Sequence, residues 1–183
     1  DFYRNLATSL GAQSSYRKTE NFHIIQEEIN RLALDKKKTP VIIIDEANYI
    51  KNAVLNDLKI LFNFEMDSRD RAVILLVGLP QLNNTLQLSI HEPLRQRIIM
   101  NYNVDGYSKE EGRAYMEWKL KKAGCTAPVF DDAAIEAILN ASDGTARVIS
   151  KLCNASLVIG HSQSANRITA DIVMQAINDS TLG

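Results

Sequence analysis

Val41 to Ile50 reads VIIIDEANYI. Four consecutive β-branched residues, Val41 to Ile44, suit a short strand buried on both faces, the pattern of a parallel sheet covered by helices. Two carboxylates, Asp45 and Glu46, follow at its C-terminal end. An apolar strand closed by such a pair is a Walker B motif. In an open α/β sheet, ligands bind in the crevice outside the carboxyl ends of the strands, so this strand delivers both acids to the place where chemistry happens. The chemistry they suit is nucleotide hydrolysis, with Asp45 holding Mg²⁺ through a bound water and Glu46 orienting or deprotonating the water that attacks the γ-phosphate. The same residues also read as a plain strand followed by an acidic turn or N-cap, because Asp is a good cap.

Downstream, Leu55, Leu58, Ile60, Leu61 and Phe62 predict a helix over about 51–65, and DSRDR at 67–71 a polar connection. AVILLV at 72–77 is a second buried strand that runs into Gly78-Leu79-Pro80-Gln81-Leu82. Strand, helix and strand of these lengths form a βαβ unit with a parallel sheet and a right-handed crossover. Both strands then end on one side, which places the loop at 78–81 beside Asp45 and Glu46. One or two short helical turns follow at 83–89, and EPLRQR at 92–97 has Pro93 where a first helical residue is favoured. IIMNYNV at 98–104 reads as a third strand. Upstream, Phe2, Leu6 and Leu10 mark a helix ending near Gly11, and Phe22, Ile25, Ile29 and Leu32 mark another over about 21–33. The lysines of DKKKTP at 35–40 read as a solvated turn into the first strand.

From Ser108 onward the pattern is helical only. Ser108 with Glu111 is a capping box that opens a helix to about Ala123; further helices are expected at 131–141, 144–159 and 169–178. The domain boundary falls near 105–107, between an α/β part and a small helical bundle. In 183 residues, 45% apolar and 23% charged, with a net charge of -1, nothing global demands a nucleic-acid or membrane-surface partner. No apolar run approaches the roughly 18 residues of a membrane span and no N-terminal signal is seen, so the chain reads as cytoplasmic. Cys125 and Cys153 are too far apart for a CxxC site, and His23, His91 and His161 have no ligand-like spacing.

The IIDEA string, VGLPQL about 30 residues later, LRQRI, the helical bundle and SDGTARVI inside it come in the order of the AAA+ ATPases. In detail the chain resembles the bacterial group of ExeA-type secretion ATPases and MuB- and TniB-like transposition ATPases, over essentially its whole length. The resemblance implies an α/β fold: a partial parallel-sheet P-loop NTPase (AAA+) core over 1–106, then a small all-α lid bundle over 107–183. It implies ATP and Mg²⁺ as cofactors, a homo-oligomer, and a transposase or secretion-machinery protein as partner. Residue by residue, Asp45 becomes the Mg²⁺ aspartate and Glu46 the catalytic glutamate. Arg97, with Arg95 as second candidate, becomes an arginine finger acting on a neighbouring subunit's nucleotide. Arg147 becomes the lid residue that closes on the phosphates. The position that in relatives often carries a polar water-positioning side chain falls near Gly78 or Leu79, and here Gln81 is the nearest polar residue.

One departure stands out. The sequence has no Gly-x-x-x-x-Gly-Lys-Ser/Thr, the loop whose backbone amides and lysine cradle phosphates. Family order puts that loop, and a central first strand between those at 72–77 and 98–104, upstream of Asp1, so the chain reads as the C-terminal portion of a longer protein. Two functions remain open on this sequence: an ATPase core and lid lacking its P-loop, or a non-catalytic module acting through protein or DNA contacts. Lys119, Lys121 and Lys122 are the basic residues that could touch DNA, but Glu117 among them and the near-neutral overall charge favour a solvated helix face.

Overall fold

The computed structural model describes residues 1–64, 70–125 and 127–181. The expected helix end at Glu65 and the connection at 67–69 lie outside them. The chain divides into two compact units, residues 1–101 and 102–183.

The first unit opens with α1 (Phe2–Ser9) and α2 (Lys18–Asn30), the latter running on as a wide π turn over Arg31–Asp35. α2 starts three residues earlier than its apolar stripe suggests. The cause is the buried Asn21, whose side chain reaches back to the entering segment: it accepts the Ser15 N–H at 2.9 Å and donates to the carbonyls of Ser15 (2.8 Å) and Arg17 (3.0 Å). β1 (Val41–Ile44) follows, then a 3-10 turn (Ala47–Tyr49), α3 (Asn52–Leu61) and β2 (Val73–Leu76). β1 and β2 pair in parallel, Val41 opposite Val73 through Ile44 opposite Leu76, as a βαβ unit requires. α4 (Gln81–Leu86), a 3-10 turn (Ser89–His91) and the one-turn α5 (Glu92–Arg95), with Pro93 in its first turn, complete the unit.

Two expectations fail here. The strands are covered on one face instead of two: Ile42 is buried, but Val41 is 61% and Ile43 63% exposed, and on β2 Val73 and Leu75 are exposed with them. Alternation along a strand sends successive side chains to opposite faces. Among the described residues, only the face of Ile42 and Ile44 meets apolar clusters, one built with Leu6, Ile25, Ile29 and Leu61, the other with Leu55, Leu58, Leu82 and Leu94. Nor does 98–104 form a strand. Ile99, Met100, Tyr102 and Val104 are at least 80% exposed. Strand propensity reflects packing against neighbours, and these residues have no adjoining strand among the described residues to pair with.

The second unit contains α6 (Lys109–Lys122), α7 (Asp132–Ser142), α8 (Ala146–Ser162) and α9 (Ala170–Thr181). The capping box forms as read: Ser108 Oγ accepts the Glu111 N–H, and the Glu111 carboxylate accepts the Ser108 N–H. Asp131 caps α7 by accepting the Ala134 N–H at 2.6 Å. Ile138, Ile149, Leu152 and Val173 are almost wholly buried at the centre, each contributing about 1.5–3 kcal/mol of transfer free energy. Between α7 and α8 the chain turns through Asp143 (φ 45°) and Gly144 (φ 71°). Glycine is required at 144, since a Cβ there would stand 2.4 Å from the Tyr107 carbonyl oxygen. The close approach is held by the Tyr107 N–H, which donates to the Gly144 carbonyl at 2.8 Å.

Candidate nucleotide-hydrolysis site

Asp45 and Glu46 leave the end of β1 on an exposed turn. Glu46 adopts φ 53° and ψ 35°, left-handed values that are uncommon outside glycine. The turn is stabilised locally by Asp45, whose Oδ1 accepts the Glu46 N–H at 2.8 Å. Among the described residues no donor meets the other Asp45 oxygen. One free carboxylate oxygen on an exposed strand end fits Mg²⁺, which keeps most of its waters and takes only one or two carboxylates beside substrate phosphates. It does not make a metal cage, and among the described residues no group of three or more His, Cys, Asp or Glu side chains gathers to form one.

The loop after β2 lies against this turn. The Val77 N–H donates to the Ile44 carbonyl (2.9 Å) and the Ala47 N–H to the Val77 carbonyl (2.8 Å), carrying the parallel ladder past the strand ends. The Leu79 N–H donates to Asn48 Oδ1 at 3.1 Å. Gln81, the first residue of α4, is exposed just beyond. The structure therefore brings Asp45, Glu46 and the 78–81 loop into one place.

The arginines are engaged elsewhere in the first unit. Arg97 is half-buried and its Nη1 donates to the Lys59 carbonyl at 3.2 Å, near the end of α3. Arg95 donates to the carbonyls of Leu86 (3.2 Å) and Gln87 (3.0 Å), at the end of α4. Both guanidinium groups satisfy carbonyls that a helix C-terminus leaves open, where a cation is also favoured by the helix dipole. Arg147 belongs to the second unit, exposed in the first turn of α8.

Sequence reasoning passed over two residues that hold this unit together. Asn48 is one; its signal was an amide side chain in a short turn, where such groups commonly bond nearby backbone. His91 is the other, fully buried with Nδ1 2.9 Å from the Asn56 side chain and Nε2 3.0 Å from that of Asn52. Through these two side-chain contacts His91 fastens the start of α5 to the first turns of α3. It stands alone in the sequence because its partners lie 35 and 39 residues away.

Residues 1–86 match the family described as AAA domain. General secretion pathway protein A of Aeromonas hydrophila is 30% identical over 140 residues, 76% of this chain and 26% of that protein. An uncharacterized HTH-type transcriptional regulator of Methanocaldococcus jannaschii is 26% identical over 181 residues, 89% of this chain and 44% of the relative. The chain thus spans less than half the length of either. Among solved structures, Cdc6p of Pyrobaculum aerophilum superposes with a TM-score of 0.65 at 16% identity, over 91% of this chain and 45% of that one. A RuvB variant of Thermotoga maritima gives 0.57 at 23% identity, over 88% and 57%. By sequence, residues 1–86 belong to the AAA domain family, and over nearly its whole length the chain shares the fold of the Cdc6p and RuvB structures.

Proposed function

We propose that this chain is the acid-bearing core and the lid of an AAA+ enzyme that hydrolyses ATP with Mg²⁺ and uses turnover to drive assembly with a secretion-machinery partner. The observation that carries the reading is the exposed Asp45–Glu46 turn at the end of β1, packed against the loop that ends β2. Mg²⁺, if bound, would be held by Asp45 and would supply positive charge against the phosphates. Asp45 offers its free oxygen to a metal-bound water. In this reading Glu46, exposed one residue on, orients or deprotonates a water. The phosphates need a cradle of backbone amides and a lysine, which this sequence does not contain, so hydrolysis belongs to a longer product that includes such a loop. Arg97, or Arg95 in its place, acts across a subunit interface in a homo-oligomer, and Arg147 closes the lid on the phosphates. The secretion partner is favoured over a transposase by the similarity to general secretion pathway protein A.

The test is Glu46→Gln in the full-length product. The amide keeps size and hydrogen bonding but loses the base, so ATP binding should persist while turnover falls about 10²- to 10⁴-fold. A fall of less than about threefold at unchanged affinity would reduce Glu46 to a turn residue and favour a non-catalytic interaction module.

A further inference from the structure

A side chain at Gly78, where the 78–81 loop begins, would crowd the acidic turn. A Cβ on Gly78 would lie 2.9 Å from Asn48 Oδ1, 3.1 Å from the Asn48 nitrogen and 3.4 Å from that of Ala47. Backbone therefore rests directly on the acidic turn, and the side chain crossing between them belongs to the turn. Asn48 is half-buried, two residues after Glu46, and its Oδ1 accepts the Leu79 N–H. That bond settles which way the amide faces, because only its oxygen can accept. Its Nδ2, with two N–H donors, meets no acceptor among the described residues. The ladder bonds at Ile44, Ala47 and Val77 fix the strand ends, but the Asn48 bond alone among those described reaches past Val77 into the loop.

We propose that Asn48 is a positioning residue of the hydrolytic site: it clamps the 78–81 loop to the turn that bears Asp45 and Glu46, so that the two halves of the site move as one. The inference rests on the ATPase reading. The ladder bonds stop at Val77; beyond it the Asn48 bond holds the loop leading to Gln81 in register with the turn that carries the water-activating acid. A hydrogen bond of this kind contributes modestly to folding, but displacing reacting groups by about 1 Å can cost as much as 10²-fold in rate.

The test has two arms. In this chain, amide hydrogen exchange followed by NMR should show the Leu79 N–H exchanging about tenfold faster in Asn48→Ala, with the β1 amides of Ile42 to Ile44 unchanged, and protection restored in Asn48→Asp, which keeps an acceptor oxygen. In the full-length product, Asn48→Ala should lower kcat about tenfold while Mg-ATP affinity stays within about twofold. The proposal is overturned if Leu79 exchange is unaltered in Asn48→Ala, if the β1 amides accelerate equally, or if kcat is untouched in a protein that Glu46→Gln inactivates. Turnover indifferent to Glu46→Gln would instead overturn the hydrolase reading and with it the catalytic half of this inference, leaving the exchange arm to decide the clamp.

Discussion

Arg97 donates from Nη1 to the main-chain carbonyl of Lys59, 3.2 Å away at the end of α3. A finger reaching a neighbour's phosphate has to leave this carbonyl, so the proposed role of Arg97 and its observed anchor are alternatives in time. Complementation separates them. Full-length Arg97→Ala should hydrolyse poorly with an intact acidic pair, and Glu46→Gln should lack the base but keep its finger. In co-assembled mixtures an Arg97→Ala subunit receives a finger from its Glu46→Gln neighbour, and activity should exceed that of either variant alone. Activity no higher than the weighted mean, in mixtures shown by sizing to co-assemble, sinks the finger; Arg95→Ala in the same design decides between the two arginines.

Nucleotide binding by this chain alone should be weak or undetectable, because Asp45 contacts phosphate only through a metal and no lysine-bearing glycine loop is present in the sequence. Calorimetric titration with Mg-ATP checks this. Micromolar affinity lost in Asp45→Ala would show that other residues here make a phosphate site.

Acid should loosen the first unit through Asp57. Burial pushes this carboxyl up, but hydrogen bonds from Lys18 and Tyr3 and the charge of Lys18 outweigh it and hold it below the ordinary carboxylate range. A folded pKa below the unfolded value, about 3.9, means stability that is fully present above that value and lost as pH falls through the folded one. Asp57→Asn should cost about 1–3 kcal/mol at pH 7, and the difference from the parent should vanish in the most acidic melts. A difference independent of pH would assign the effect to packing.

Gly144→Ala should destabilise the helical unit by about 1–2 kcal/mol or more, since a φ of 71° is unfavourable for any β-carbon and the Tyr107 carbonyl occupies the space. Thermal melting of the chain measures it. Gly124→Ala is the control: φ is 83° but nothing lies within 4 Å, so only the conformational part should appear.

What the sequence made legible was the part written in local pattern. The acidic pair after a short apolar strand and the Ser108–Glu111 capping box depend on residues within a few positions, and the βαβ order on a succession of such local patterns; the turn, the parallel pairing and the cap take their expected form. The strand expected at 98–104 failed because Ile98, Ile99 and Val104 have the composition of a strand but no adjoining strand to complete a ladder. Asn48 and His91 were not legible, since their partners lie 31 to 39 residues away and neither belongs to a motif. No descriptor of single-residue propensity records a hydrogen bond at that range. Arg95 and Arg97 were visible as candidates, but their anchorage on helix-terminal carbonyls depends on how α3, α4 and α5 pack.

The half-covered sheet also sets how the chain behaves in a test tube. Val41, Ile43, Val73, Leu75 and Val77 form an exposed oily strip on a sheet that has two strands among the described residues, so both strands are edges, the combination that makes polypeptides adhere to one another during synthesis and storage. Yield and shelf life will therefore be governed by concentration and added cosolvent more than by melting temperature. Replacing Val41 and Val73 with threonine, which keeps strand shape while wetting the strip, is the direct way to obtain a preparation that remains clear at the concentrations NMR demands.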